Sequence, residues 1–432
     1  MTEHIATVVV GAGQAGLALS HCLTARGHEH VVLDRGTIAH SWRTQRWDSF
    51  RLLSPNWQTR LPGFRYHGAD PEGFMTGAQV VAFFEAYARS FAAPVRSGVT
   101  VQRVAPLGHR WLVATSAGSM IADNVVVATG DLTHPRVPEQ AADLPPPIVQ
   151  LHTSAYRSPA QLPTGAVLIV GAGPSGQQIA AELAAGGRRV HLAVGRHRCL
   201  PRRYRGRDTY WWMDRLGMLD RTVVSLAAGA RRSPNAVLAG GTRDLDVRRL
   251  VAEGVTAHGR LLGVDAGVAS FADDLAATLD AAEDNARRFR AAVDAHVAVS
   301  GLDVPVEPVR DPGFAGWITA APRELDLGEI GTVVWATGFR RDHRYIEADV
   351  FGDDGEPAHR RGVTTAAGLY FLGLRWQHRR SSSFIDGVGA DAEYLAGHIA
   401  HDRRRSRCSP PRGDGADHAE RPPSRRKGAS RV

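Results

Sequence analysis

The sequence predicts an α/β protein with two Rossmann-like dinucleotide-binding domains. The main observation is a pair of glycine fingerprints of the form G-x-G-x-x-G, which contain Gly11, Gly13 and Gly16 and, 160 residues later, Gly171, Gly173, Ser175 and Gly176. Each fingerprint follows an apolar run and opens into an Ala/Leu-rich stretch with helical periodicity. One such fingerprint is a weak signal, but two in the strand–turn–helix context predict two dinucleotides bound by one chain. The commonest pair is a flavin and a nicotinamide.

Length and composition are typical of a soluble globular protein. The 432 residues are enough for two or three domains, and the hydrophobic and charged contents are 43% and 22%. No apolar run is long enough for a transmembrane helix, and the N-terminus has no signal-peptide pattern. Cys22, Cys199 and Cys408 form no CxxC motif, and we find no metal-ligand cluster. We therefore predict a cytoplasmic protein with no metal and no membrane partner.

The positive charge is concentrated at the C-terminus. The formal net charge is +8, and residues 401–432 contain ten Arg or Lys and four Asp or Glu, a contribution of +6. This tail has almost no large apolar residues, so it cannot bury enough surface to fold. A basic tail can also bind nucleic acid or a membrane surface, but we favour a disordered extension. The predicted partners are a small-molecule substrate and O₂, without nucleic acid; a homodimer is left open.

The first fingerprint satisfies each rule for a dinucleotide site. A strand over residues 5–10, a helix over 15–25 and a strand over 30–33 form the unit. Asp34 ends the second strand, 18 residues after Gly16, where an acid accepts hydrogen bonds from the adenosine ribose. The pyrophosphate is expected at the helix N-terminus, where free N–H groups and the helix dipole favour anions.

The second fingerprint lacks the acid. Strands over residues 166–170 and 189–194 flank a helix over 177–185. The spacing from Gly11 to Asp34, applied to Gly171, leads to Val194, with Arg196 and Arg198 just beyond. An acid repels a 2′-phosphate, whereas arginine binds it bidentately. The second site is therefore predicted to prefer NADPH to NADH, and a solvated basic turn is the alternative.

Two Ala-Thr-Gly tripeptides follow apolar strands on either side of the second fingerprint. They contain Thr129 and Gly130 in one copy and Thr337 and Gly338 in the other, and we predict that they are equivalent crossing points beside the cofactors. Alternating segments over residues 95–121 predict a β-meander, 365–374 a last strand and 383–400 a helix. The predicted organisation is a flavin domain (1–159 and 336–400) split around a nicotinamide domain (160–335), which contains a mostly helical insertion over 219–298.

The two fingerprints and the two Ala-Thr-Gly junctions resemble the flavin-containing monooxygenases, and more narrowly the CzcO-like bacterial oxidoreductases, over about residues 5–400. The narrower resemblance depends on short strings at residues 41–43, 47–50, 52–63, 73–76, 202–214 and 383–391. It implies FAD and NADPH as cofactors. It also implies that Arg35, Trp42 and Arg43 lie along the flavin, and that a helix N-terminus near Asp386 and Gly387 faces the flavin pyrimidine.

One family motif is only half present. His152 stands at the histidine of the F-x-G-x-x-x-H linker motif, but Pro146 and Ile148 occupy the Phe and Gly positions. His152 is either a contact of the nicotinamide or a hinge residue with a structural hydrogen bond. By a loose analogy, the amide of Asn56 contacts the oxygenated flavin; a plain turn residue is the alternative.

The resemblance implies a monooxygenase, because flavin carries the chemistry and the protein supplies binding and orientation. NADPH would reduce the flavin, and a C4a-(hydro)peroxyflavin would insert one oxygen atom into a small organic substrate. N- or S-oxygenation is favoured because it asks for no catalytic acid or base, with Baeyer–Villiger oxygenation of a ketone and a non-oxygenating flavoprotein as alternatives. A disulfide reductase needs a redox cysteine pair, which the sequence lacks. The aromatic and basic residues over 202–212 form either a substrate lid or a packing surface.

Overall fold

The computed structural model describes residues 2–225, 236–238, 240–307 and 321–408. Strands and helices alternate along much of the chain, and the predicted α/β class is confirmed. The strands, in chain order, are β1 (Glu3–Val10), β2 (Val31–Asp34), β3 (Arg60–Leu61), β4 (Phe64–Arg65), β5 (Val95–Ser97), β6 (Val101–Leu107), β7 (Arg110–Thr115), β8 (Gly118–Val127), β9 (His134–Pro135), β10 (Val149–His152), β11 (Ala166–Val170), β12 (Val190–Ala193), β13 (Arg198–Cys199), β14 (Arg203–Tyr204), β15 (Arg207–Asp208), β16 (Ala236–Val237), β17 (Thr256–His258), β18 (Leu261–Asp265), β19 (Val268–Phe271), β20 (Glu324–Asp326), β21 (Ile330–Trp335), β22 (Phe339–Arg340), β23 (His359–Arg360), β24 (Val363–Thr364) and β25 (Leu369–Phe371). The helices are α1 (Gln14–Thr24), α2 (His40–Thr44), α3 (Gly77–Ser90), α4 (Pro174–Ala185), α5 (Thr209–Arg215), α6 (Val247–Ala252), α7 (Leu275–Ser300) and α8 (Val388–Cys408).

The first sheet has the order β23-β24-β25-β8-β1-β2-β5. Its centre is parallel, because β1 runs parallel to β2 and β8, and β8 runs parallel to β25. β6 and β7 continue from β8 as antiparallel strands, so the meander predicted over residues 95–121 is confirmed. Helices α1, α3 and α8 bury their apolar faces in one core with the sheet.

The second sheet has the order β10-β21-β11-β12-β17, and all its described pairings are parallel. Every residue of β11 is buried, as expected for a parallel strand that is covered on both faces. Strand β11 coincides with the predicted strand over residues 166–170, and α4 begins three residues before the predicted helix.

The two units repeat one local geometry. Gly11 has a φ of +111° and Gly171 a φ of +110°, which is the region that favours glycine. A Cβ on Gly11 would lie 2.6 Å from the carbonyl oxygen of Ala128, and a Cβ on Gly171 would lie 2.6 Å from that of Ala336. Each Ala-Thr-Gly tripeptide therefore packs directly against the fingerprint of its own unit, which explains why the two sequence signals occur in pairs.

The chain passes between the two units beside a small ribbon. β9 follows the first Ala-Thr-Gly, β22 follows the second, and the two strands pair antiparallel. β10 pairs with β21, so residues 149–152 belong to the second sheet. We therefore propose that the first domain boundary lies between β9 and β10, earlier than residue 159.

Several sequence expectations differ from the structure. The last strand, predicted over residues 365–374, spans only Leu369–Phe371, and the helix predicted over 383–400 begins at Val388. The stretch over residues 219–298 is not mostly helical, because β17, β18, β19 and the short α6 precede α7. Glycines such as Gly259 and Gly267 divide it into short segments, and Gly267, with a φ of +81°, lies in the turn between the paired strands β18 and β19. In addition, α8 continues through Cys408, so the first eight residues of the predicted tail are helical. Arginine is a good helix former, and three arginines stand at 403–405. Residues 409–432 lie outside the described part of the chain.

The close packing of α1 on β1 gives a direct test. We expect Gly16→Ala to lower the free energy of unfolding by about 2 kcal/mol or more, because the added Cβ would lie 1.8 Å from the Gly11 carbonyl oxygen. This loss would exceed the gain of about 1 kcal/mol that alanine brings to a helix. Urea unfolding of protein purified without added dinucleotide measures the difference.

The matched control is Gly13→Ala. A Cβ on Gly13 would meet no atom within 4 Å, so we expect a change of less than about 1 kcal/mol. Equal stabilities of the two variants would contradict the packing described for Gly16.

Candidate functional site

A cavity of about 300 Å³ lies over the carboxyl ends of β1, β2 and β8. This is the edge at which parallel α/β sheets bind ligands. Seven of the residues predicted to bind cofactor line it, namely Gly11, Gly13, Asp34, Arg35, Trp42, Thr129 and Gly130. The sequence therefore located the first cavity through residues that are far apart along the chain.

The glycine loop leaves room for a dinucleotide. A Cβ on Gly13 would point into open space, whereas Gly16 is in close contact with Gly11. The loop thus has one face open to the cavity and one face packed into the fold. The first N–H groups of α1 begin at this open face and can bind phosphate oxygens.

Asp34 is held at the expected position. Its carboxylate accepts hydrogen bonds from the backbone N–H groups of Ala12 at 2.8 Å and Gly36 at 2.9 Å. These two bonds fix the carboxylate at the end of β2, where it lines the cavity beside the glycine loop. A ribose hydroxyl can donate to the remaining lone pairs of the carboxylate.

Arg46 supplies a positive charge to this cavity, although the sequence did not predict its position there. Its guanidinium lies 4.8 Å from the ring centroid of Trp42 and 5.4 Å from that of Phe50. Burial lowers the pKa of Arg46 to about 10, so the side chain stays charged at neutral pH.

Arg43, which was predicted here, instead forms an ion pair with Glu85 at 2.6 Å and does not line the cavity. Gly373 and Tyr345 also line the cavity. The sequence offers a signal only for Gly373, because a glycine just after a strand often lies beside a ligand.

The second fingerprint repeats the open face of the first. A Cβ on Gly173 would meet no atom within 4 Å, and a Cβ on Gly176 would lie 1.9 Å from the Gly171 carbonyl oxygen. Buried Gln177 donates from Nε2 to the Ala172 carbonyl at 2.8 Å and so holds the loop. Ser175 is half-buried in the first turn of α4.

The two arginines beyond β12 have different surroundings. Val194, at the position of the missing acid, is fully buried, and Arg196 is exposed. Arg198 donates from Nε and Nη2 to the Asn285 side-chain oxygen, at 3.0 and 2.6 Å. Arg196 is therefore the better placed of the two for a phosphate that approaches from solvent.

A second cavity, of about 220 Å³, lies between the two units. Leu53, Asp131 and Trp376 line it from the first unit, and Pro174 and Arg198 line it from the second. Because Asp131 lines both cavities, the two are neighbours. A ligand between the units would therefore lie close to a ligand in the first cavity.

His152 occupies a structural position at the crossing between the units. Its Nδ1 accepts from the Ser154 N–H at 3.2 Å, which leaves Nε2 to donate to the Gly338 carbonyl at 2.9 Å. The ring also packs edge-on against Phe339, and burial lowers the pKa of His152. Both ring nitrogens are engaged and the imidazole is neutral, an arrangement that matches the hinge interpretation of His152.

Asn56 does not line either cavity. Its amide nitrogen donates to the Asp70 carbonyl and its amide oxygen accepts from the Met75 N–H, both at 2.9 Å. The buried side chain thus joins two segments of a loop, which favours the turn-residue alternative over a contact with oxygenated flavin.

Three further predicted residues lie outside both cavities. Asp386 has a buried carboxylate that accepts from Gln58 Nε2 at 3.0 Å, and burial raises the pKa of Asp386 to about 6. Gly387 is in tight contact with Ser381, where no Cβ would fit. Thr337 donates its hydroxyl hydrogen to the Arg136 carbonyl and so fastens the second Ala-Thr-Gly to the crossing segment, near Gly338.

The aromatic and basic residues over 202–212 are mainly a packing surface. Arg202 is buried, donates to the Leu53 carbonyl at 2.7 Å and forms an ion pair with Asp208. Trp212 is fully buried and donates from Nε1 to the Tyr204 carbonyl at 2.7 Å. Tyr210 lines the second cavity, so this segment also supplies one wall of it.

The two thiols whose positions are described are shielded from solvent. Cys22 and Cys199 are both buried, and burial raises the pKa of each to about 12. That the chain is not a disulfide reductase stays a prediction, based on the absence of a redox cysteine pair from the sequence. Across the described ranges, no helix combines the length and apolar character needed to span a bilayer.

Comparison with known sequences identifies relatives along most of the chain. A CzcO-like oxidoreductase of Geobacillus kaustophilus is 33% identical over 402 residues, which are 92% of this chain and 99% of the relative. The indole-3-pyruvate monooxygenase YUCCA1 of Oryza sativa is 34% identical over 208 residues, which are 47% of this chain and 51% of that protein. Residues 8–209 also match the pyridine nucleotide-disulphide oxidoreductase family.

Solved structures share the fold. A flavin-containing monooxygenase from Stenotrophomonas maltophilia aligns with a TM-score of 0.65 at 20% identity, over 93% of this chain and all of that one. The ornithine N-hydroxylase KtzI of Kutzneria sp. 744, with reduced FAD, NADP⁺ and L-ornithine bound, aligns with a TM-score of 0.60 at 16% identity, over 93% of this chain and all of that one. Two-domain flavoprotein oxygenases thus have the architecture described above.

The hydrogen bonds of His152 predict its contribution to stability. We expect His152→Leu to lower the free energy of unfolding at pH 7.5 by about 0.5–1.5 kcal/mol, because the half-buried Gly338 carbonyl loses one of its two donors and keeps the Arg136 N–H. The lowered pKa means that the folded state binds fewer protons than the unfolded state, so the contribution of His152 falls as the pH drops below about 6.5. The variant should therefore lose less stability than the wild type between pH 7.5 and 5.5 in urea unfolding.

The control is His109→Leu, which changes an exposed histidine in a turn and should alter neither quantity. If His152→Leu kept full stability but lost NADPH oxidation, a direct role at the nicotinamide would replace the structural one.

Proposed function

This chain belongs to the CzcO-like oxidoreductases, and we propose that it is an FAD- and NADPH-dependent monooxygenase that inserts one atom of O₂ into a small organic molecule. The observation that carries the proposal is the duplicated fingerprint, whose open glycine faces at Gly13 and Gly173 repeat in two adjoining units. Two such sites allow a reductant and a flavin to work in one protein.

FAD fits the first cavity. Asp34 is fixed at the adenosine end, Gly13 leaves space for the pyrophosphate, and Trp42 lines the cavity with Arg46 on its ring. FAD held here by these residues would supply the redox and oxygen-activating chemistry of the reaction. Arg46 would hold a positive charge beside the cofactor in a partly dry cavity, where it stabilises negative charge more than it would in water.

NADPH fits the second fingerprint. Gly173 leaves the pyrophosphate face open, and a buried valine stands where an acid would repel a 2′-phosphate. Arg196 is exposed near the end of β12 and free to bind that phosphate bidentately. His152 and Phe339 would hold the crossing segments, and thus the distance between the two dinucleotide sites.

The second cavity is the proposed substrate site because it adjoins the first at Asp131. Its described lining contains no histidine or cysteine that could act as a catalytic base or nucleophile at neutral pH. Oxygenation of a nucleophilic nitrogen or sulfur atom needs no catalytic base from the protein, so we propose an amine or a thioether as the reacting group.

The proposed reaction predicts the fate of oxygen. We expect incubation with NADPH, ¹⁸O₂ and thioether or amine compounds to yield an S- or N-oxide carrying one ¹⁸O atom, which mass spectrometry detects. Label in a lactone formed from a ketone would favour Baeyer–Villiger oxygenation instead. Hydrogen peroxide as the sole oxygen product from every compound would favour a non-oxygenating flavoprotein.

The coenzyme site predicts a second outcome. We expect wild type to prefer NADPH to NADH, and Arg196→Ala to lose about 10- to 150-fold in that preference, which corresponds to one charge-assisted contact of about 1.5–3 kcal/mol. Values of kcat/KM for the two coenzymes measure it. Arg189→Ala, which removes an exposed arginine paired with Glu329, is the control. An unchanged preference in Arg196→Ala would remove Arg196 from the coenzyme site.

A further inference from the structure

Three arginines converge on the second cavity. Arg198 comes from the second unit, and Arg375 and Arg380 come from the segment that follows β25 in the first. Asp131 is the one carboxylate among the described residues that line this cavity. It is already paired with Arg341, whose Nη2 lies 2.6 Å from Asp131 Oδ1. The cavity therefore has an excess of positive charge.

The positive charges of these three arginines repel one another. Burial, together with the neighbouring Arg198 and Arg375, lowers the pKa of Arg380 to about 10. Burial also lowers the pKa of Arg375, as does Arg198, while Asp131 opposes the shift. All three remain charged at neutral pH. Like charges in a half-buried site are unfavourable unless a counter-charge is bound.

The segment that carries Arg375 and Arg380 is held in place before any ligand binds. Backbone N–H groups of His378 and Arg379 donate to Ser382 Oγ at 3.1 and 2.9 Å, and the Arg380 N–H donates to the Arg221 carbonyl at 3.0 Å. Trp376 has a φ of +58°, a strained value for an aromatic residue that persists mainly where a function requires it. The backbone that carries the two arginines is thus held in place before a ligand binds.

Apart from Ser383, the remaining walls are mostly apolar. Side chains from both units face the cavity, namely Leu200, Tyr210, Met213, Leu238, Trp376 and Phe384. A pocket with an apolar lining and a few convergent charged groups binds an apolar molecule that carries one opposite charge.

We propose that this cavity binds an organic anion, in which a carboxylate pairs with Arg375 and Arg380 and an apolar or aromatic body packs against Tyr210, Trp376 and Phe384. This inference rests on the proposed function and names its substrate class, an acid that also carries a thioether or an amine. For a thioether, one oxygen atom of O₂ forms the S–O bond and the other leaves as water, with two electrons from NADPH and one proton from solvent.

The phosphates of NADPH are the other source of negative charge near this cavity, because Pro174 at the start of α4 also lines it. Arg375 and Arg380, however, belong to the first unit, and the proposed 2′-phosphate contact is Arg196 of the second. We therefore assign these two arginines to substrate, and the experiment separates the two anions.

The first experiment needs no variant. Isothermal titration of the full-length protein with 4-(methylthio)benzoate and with its neutral amide, 4-(methylthio)benzamide, compares two ligands of the same shape. We expect the carboxylate to bind at least about 10-fold more tightly, and this advantage to shrink at high salt. Equal affinities, or no binding of the carboxylate, would overturn the inference.

The second experiment uses Arg380→Gln and Arg375→Gln, with Arg287→Gln as the control because Arg287 is exposed on α7. We expect each cavity variant to lose about 10-fold or more in carboxylate affinity and to keep the amide affinity and the KM for NADPH. Arg287→Gln should keep all three. A raised KM for NADPH with an unchanged preference for carboxylate would assign the arginines to coenzyme and overturn the inference. Arg380→Lys, which keeps the charge, should retain part of the preference and covers the case in which a glutamine variant does not fold.

The titrations, combined with product analysis of the same two ligands after incubation with NADPH and O₂, separate this inference from the proposed function. Tight, arginine-dependent binding of 4-(methylthio)benzoate without formation of its sulfoxide would retain the anion site and reject the monooxygenase. Formation of sulfoxide from both ligands with equal kcat/KM would retain the monooxygenase and reject the anion site.

Discussion

The arrangement of the molecule depends on four positions where a β-carbon has no room. At Gly11 and Gly171 a Cβ would meet the carbonyl of an Ala-Thr-Gly tripeptide, and at Gly16 and Gly176 it would meet the backbone of the loop itself. Close packing leaves no slack at such contacts. Each helix is therefore held against its strand, and the distance between each Ala-Thr-Gly tripeptide and its glycine loop is fixed by direct contact. Both dinucleotide loops and the ribbon between the units are positioned by this one constraint.

Charge dominates the region between the units. Arg202 is almost completely buried and joins the second unit to the Leu53 carbonyl, while Arg341 holds Asp131 at the boundary of both cavities. A charged guanidinium away from water is costly unless a counter-charge compensates it, and each of these two has a carboxylate partner. Three arginines face the second cavity, and the one carboxylate among its described lining residues, Asp131, is also paired with Arg341, which is why an anionic ligand is expected there.

The sequence predicted what depends on local geometry. Strand–turn–helix units at both fingerprints, the acid Asp34 and the meander follow from periodicity and glycine placement, and all are present. Asn56 and Arg43 illustrate the limit, because their partners Asp70, Met75 and Glu85 lie elsewhere along the chain and no spacing rule reveals which side chain turns inward. The arginines of the second cavity were inaccessible for the same reason, since two units must come together before their charges face one another.

The ribbon of β9 and β22 has a consequence for folding. Strand β8 must find β25, although 242 positions separate Val127 from Leu369. Once the second unit is folded, Pro135 and Phe339 are paired neighbours, about 5 Å apart. The loop that remains to be closed then consists of residues 128–135 and 339–368 alone. Because loop-closure entropy grows with the logarithm of length, this shortening lowers its cost by roughly 1.5 kcal/mol. Folding of the inserted unit thus brings β25 close to β8, its partner in the first sheet.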